Sequence, residues 1–147
     1  MEQYPKIGSR LLLASKEDLS DGVFDCLKTI PCDRFDFRRA KEETLKRTHP
    51  IYWIGTECQI AFSEQPCPEL QDAFERFRSR MEPYLHTVKW LIRFHHLEAR
   101  IRFRVVVEER YFVFPVLEVT DEMMRYAADL GAMIDFLFDV DDPESQE

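Results

Sequence analysis

The sequence is poor in the residues that build enzymes' phosphate cradles and disulfide scaffolds. Of 147 residues only four are glycine. No G-x-x-x-x-G-K-[ST] loop and no G-x-S-x-G elbow occurs, which removes the common phosphate-binding and serine-hydrolase signatures. Four cysteines are too few to staple a chain of this length. With no basic-then-apolar leader in Met1-Glu2-Gln3-Tyr4-Pro5, they are expected to be reduced thiols in the cytoplasm. Apolar runs such as Leu11–Ala14 and Val105–Val107 fall far short of the roughly 20 residues that cross a bilayer. A basic surplus is also missing. The net charge is −8, which opposes binding to phosphate backbones or anionic lipid.

What is present suits one ordinary domain. Hydrophobic residues make up 45% and charged residues 33% of the chain, with twelve Phe, five Tyr and two Trp to fill a core. A single domain is expected over residues 1–140, followed by an acidic tail, 141–147. The negative charge is unevenly spread: residues 101–147 hold twelve acidic and four basic side chains, whereas residues 1–50 hold nine and ten.

Periodicity predicts the elements. Ile7–Ser15 reads as a strand around Leu11-Leu12-Leu13. A short helix over residues 18–28 follows, capped by Asp18 or Ser20, with Leu19, Val23, Phe24 and Leu27 on one face. Phe35 and Phe37, two apart, suit a half-buried strand. Residues 38–49 form a basic connection, and Pro50–Thr56 reads as the next strand. Leu70, Phe74, Phe77 and Met81 recur at helical spacing. Pro83 should split that helix from a continuation over Tyr84–Leu97, with Leu85, Val88, Leu91 and Ile92 turned inward.

Ile101, Phe103, Val105 and Val107 alternate with Arg102 and Arg104, the pattern of a strand with one apolar face. Tyr111–Val119 is expected to return as a hairpin strand, with Pro115 at an edge. Thr120 caps a helix lined by Met123, Met124, Ala127, Ala128 and Leu130, and Gly131 stops it. Ala132–Val140 is the last strand, with Ile134, Phe136, Phe138 and Val140 facing one way and Asp135 and Asp139 the other. The order β-α-β-β-α(broken)-β-β-α-β predicts an α+β fold, a mostly antiparallel sheet with helices on one face.

The segments "KWLIRFHHL", "ARIRFRVVV" and "FPVLEVTDEMMRYAADLGAMIDFLFDV" carry a resemblance. Together with Trp53 in "PIYWIG", they are similar to the bacterial family catalogued as domain of unknown function 4279. The likeness covers about two-thirds of the chain. Its motifs are structural, so the resemblance implies a fold and no active-site residues. By analogy with many small bacterial families, it implies an immunity protein encoded beside a secreted toxin.

Tests for chemistry give little. His95 and His96 diverge by about 100° on a helix and cannot share one ion. Cys26 with Cys32, and Cys58 with Cys67, lack zinc-knuckle spacing. Cys58 with His49 is a chance Cys–His pair of the kind any such chain offers. The basic stretch around Phe35 and Phe37 is interrupted by Asp33, Asp36, Glu42 and Glu43, against nucleic-acid binding. No cofactor, metal or catalytic residue is therefore assigned, and an enzyme is not expected.

The leading expectation is an inhibitor that binds a basic protein partner, a toxin domain, as a monomer or weak dimer. Its candidate contacts are Glu108, Glu109, Glu118, Asp121, Asp135, Asp139, Asp141 and Asp142, on the premise that they form one anionic patch. The alternative is a small regulatory or ligand-sensing module with a pocket between the broken helix 68–97 and the sheet.

Overall fold

The computed structural model describes residues 4–17, 19, 21–39, 55–108 and 115–141, without the side chains of Asp21, Phe24, Arg39 and Asp141. Period-2 alternation puts Ile7, Leu11 and Leu13 of the first strand, β1 (Lys6–Ser15), into the core. The chain continues as α1 (Asp21–Lys28), β2 (Arg34–Arg39), β3 (Thr56–Pro66), α2 (Leu70–Met81), a 3₁₀ turn (Glu82–Tyr84), α3 (Leu85–Phe94), β4 (Glu98–Glu108), α4 (Asp121–Leu130) and β5 (Ala132–Asp141). The strands form one sheet in the order β2-β3-β1-β4-β5. Every pairing is antiparallel except β4 with β5, which is parallel. A parallel neighbour needs a crossover, and α4 supplies it.

The fold is α+β with the helices packed on one face of a mostly antiparallel sheet. Along β4, Ala99, Ile101, Phe103, Val105 and Val107 are buried, while Arg100, Arg102, Arg104 and Val106 between them stay part-exposed. Phe74 and Phe77 of α2 are completely buried, and Tyr126 of α4 meets both rings edge-on at 5.4 and 6.3 Å.

Local chemistry sets the breaks. Pro83 ends α2 through the 3₁₀ turn, as a residue without an N–H must. The Thr120 hydroxyl accepts from the Met123 N–H at 3.3 Å, and Gly131 closes α4 at φ 87°. Gly55 leaves no room for a side chain, since a Cβ there would lie 2.5 Å from the Lys16 carbonyl oxygen. Beside it the buried Thr56 hydroxyl accepts from the Leu19 N–H at 3.1 Å and donates to the Glu17 carbonyl at 2.9 Å, pinning the turn after β1.

Four expectations change. The strand placed at Pro50–Thr56 has only Thr56 in common with β3, and residues 50–54 lie outside the described residues. The real strand is announced by the alternation of buried Thr56, Cys58, Ile60 and Phe62. Of the return strand placed at Tyr111–Val119, residues 111–114 lie outside the described residues, and residues 115–119 form no strand. Both sides of β4 are already occupied by β1 and β5, which leaves residues 115–119 no place beside it. Val116 instead makes a single bridge to Glu69, with the Leu70 N–H donating to its carbonyl at 2.8 Å. Arg38 and Arg39 belong to β2 rather than to a connection. Met124, expected in the core, is exposed, and Met123 alone of the pair is buried.

Candidate interaction surface

The face of the sheet turned away from the helices is a lattice of opposite charges. Arg100, Arg102 and Arg104 leave β4 on this side, and the parallel register sets Arg102 beside Asp135 and Val106 beside Asp139. Arg102 donates to Asp135 through Nε at 2.8 Å and Nη2 at 3.0 Å, a two-pronged pair. Arg100 donates to the same carboxylate at 3.3 Å and to Glu98 at 3.0 Å. Arg104 bridges Asp139 at 2.7 Å and Glu64 at 2.8 Å. On the far strand Arg34 pairs with Asp36 at 2.8 Å.

Glu64 reaches Arg104 across β1, and the path is open because the residue between them is Gly8. A Cβ at Gly8 would sit 2.9 Å from Glu64 Cγ and 3.0 Å from the Phe62 carbonyl oxygen. The register of β1 on β3 shifts at this point, between Ile7 and Ser9. The hydrogen bonds from Arg102 hold the Asp135 carboxyl below its usual range, against the opposing effect of burial. Burial pushes Glu64 upward, but hydrogen bonding from its backbone and from Arg104 outweighs this and leaves it lowered.

The eight acidic residues singled out from the sequence do not assemble into one unpaired patch. Asp135 and Asp139 are neutralised by arginines of β4. Glu118 and Asp121 are exposed at the entry to α4, in the helical layer, whereas Glu108 stands at the end of β4 beside the backbone of Asp141. Glu109, Asp142 and the Asp141 side chain lie outside the described residues. Alternation along β4 and β5 shows which charges point outward; it does not show that the two strands are neighbours.

One further feature escaped the sequence reading, and another lies where its alternative looked for a pocket. Trp90 and Phe94 of α3 stack in solvent, with centroids 4.7 Å apart and planes at 11°, and are 56% and 63% exposed. His95 meets both rings edge-on. Their i, i+4 spacing, to one side of the face that buries Val88, Leu91 and Ile92, is the signal that could have found them. The second is a cleft of about 20 Å³ between α2 and the sheet, lined by Ser9, Ser63, Arg76 and Arg80 among others. It is where the alternative reading placed a ligand pocket. That enclosed space is of the order of one water.

The cysteines are all free. Burial pushes the Cys58 thiol up to about 12, which keeps it protonated and poorly nucleophilic. Among the described residues, no group of three or more His, Cys, Asp or Glu side chains comes together to hold a metal. No described helix is long and apolar enough to cross a membrane. Comparison of the chain with protein-family models, with curated proteins and with solved structures returns no match.

Proposed function

We propose that the chain is a protein-binding domain that meets its partner on the outward face of the sheet, and in its narrower form a bacterial immunity protein acting in the cytoplasm on a basic toxin domain. The Arg–Asp lattice carries this reading. Side chains already locked to one another lose little rotamer freedom when a partner arrives. Their alternating signs select a partner of complementary pattern and reject others. The net charge of −8 favours a basic partner through long-range attraction. Asp135 and Asp139 contribute pattern to that encounter rather than free charge, so long-range attraction falls to carboxylates elsewhere on the surface, such as the exposed Glu118 and Asp121 at the entry to α4. Kinship with the 4279 family is part of the same proposal. The segments that resemble it include β4, α4 and β5, the unit that builds the lattice.

The test is co-expression with toxin domains encoded beside the chain's own gene. Restored growth and a complex with nanomolar Kd, weakened at least tenfold by Arg102→Glu, support the proposal. Absence of any complex, together with stabilisation by a metabolite in a thermal-shift screen, overturns it in favour of the ligand-sensing reading.

A further inference from the structure

The two edges of the sheet are built differently. At one edge, β2 is six residues long and carries Arg34, Asp36 and Arg38, the charges that blunt an edge against pairing. At the other, β5 runs ten residues in unbroken register with β4, from Ala99 beside Ala132 to Glu108 beside Asp141. It contains no proline, no lysine and no bulge, and among the described residues no strand pairs with its outer side. Asp135 and Asp139 are held by arginines of β4 on the inner side and so do not guard the free edge, and a long edge of this kind is a template for another strand.

The apolar face of β5 is covered over only half its length. Ile134 and Phe136 are part-buried in the core, whereas Phe138 and Val140, on the same face further along, are 56% and 69% exposed. The cause is geometric. A ten-residue helix rises about 15 Å, and a ten-residue strand about 33 Å, so α4 cannot shield all of β5. A second β5 running antiparallel would supply the missing cover, because its own shielded half would lie beside this exposed one.

We propose that β5 pairs with β5 of a second copy of this chain across a two-fold axis at Phe136, joining the two sheets into one of ten strands. In that register Phe138 lies opposite the partner's Ile134, and Val140 opposite the partner's Ala132. The rings of Phe136 meet each other, and aromatic and branched pairs of this kind stabilise antiparallel neighbours. On the outward face Asp135 lies opposite the partner's Leu137. Shifting the axis to Leu137 would set Asp135 against the partner's Asp139, a like-charge pair that disfavours that register. The interface is isologous and closes at two copies, which removes the edge rather than extending it. It does not depend on the partner-binding proposal, since it concerns the chain alone.

The experiment is light scattering on the full chain after size-exclusion chromatography, across 1–100 µM as the order of concentration a strand-mediated dimer needs. The expected mass is twice the chain's 17.6 kDa. Phe138→Lys, at a position already exposed, should keep the circular-dichroism spectrum and raise the dimer Kd at least tenfold. Arg34→Ala at the opposite edge should leave the Kd unchanged. A wild-type mass of one chain at the highest concentration overturns the proposal. So does a Phe138→Lys variant, or a second variant Val140→Lys, that is folded and still dimeric.

Discussion

Asp135 receives both prongs of Arg102, at 2.8 and 3.0 Å, and a third hydrogen bond from Arg100 at 3.3 Å. The outermost strand is thereby fastened to its neighbour on the side away from the core. Asp135→Asn should lower stability by about 1–2 kcal/mol, a value for a charge-assisted bond reduced for partial exposure. Chemical denaturation at neutral pH measures it, and an unchanged midpoint would count against the pairing.

The same residue ties stability to acidity. Hydrogen bonds from Arg102 depress the folded-state pKa of Asp135 below its ordinary carboxylate value. Its contribution is therefore complete above the unfolded pKa, roughly 3.9, and is lost as pH falls through the lower folded value. Wild type should lose stability faster than Asp135→Asn below about pH 4. Parallel acid-unfolding curves for the two proteins would contradict this.

Gly8 leaves the gap through which Glu64 meets Arg104. Gly8→Ala should destabilise by about 1–2 kcal/mol, since the new Cβ displaces the Glu64 stem and crowds the Phe62 carbonyl. In a double-mutant cycle with Glu64→Ala the two losses should be less than additive. Strict additivity would mean that the glycine serves the backbone alone.

The Tyr126 hydroxyl is buried and has no hydrogen-bond partner among the described residues. Tyr126→Phe should be neutral or stabilise by up to about 1 kcal/mol, because no bond is lost and a desolvated polar group is removed. Burial also pushes the phenol up to about 12. A raised folded-state pKa contributes stability below the unfolded value near 10 that fades as pH climbs toward 12. Wild type should weaken relative to Tyr126→Phe in that alkaline window, read by urea unfolding.

Thr120 caps the crossover helix through its bond from the Met123 N–H. Thr120→Ala should cost about 1 kcal/mol and Thr120→Ser much less. Equal losses in the two variants would show that the hydroxyl is not what matters.

Sequence alone determined the elements whose signals are local. The alternation of Ile101 to Val107, the Thr120 and Gly131 caps, the break at Pro83 and the burial of Leu70, Phe74, Phe77 and Met81 all follow from periodicity and backbone chemistry within one segment. The outward direction of Arg102, Arg104, Asp135 and Asp139 was equally legible. Only the tertiary structure decided that β5 lies parallel to β4, which turned Asp135 and Asp139 of the supposed acidic patch into neutralised pairs and left residues 115–119 no place beside β4. It also decided that α4 is too short to cover Phe138 and Val140. Strand neighbourhood is a choice among distant segments made by the whole core, and no residue within a strand encodes which edge it will join.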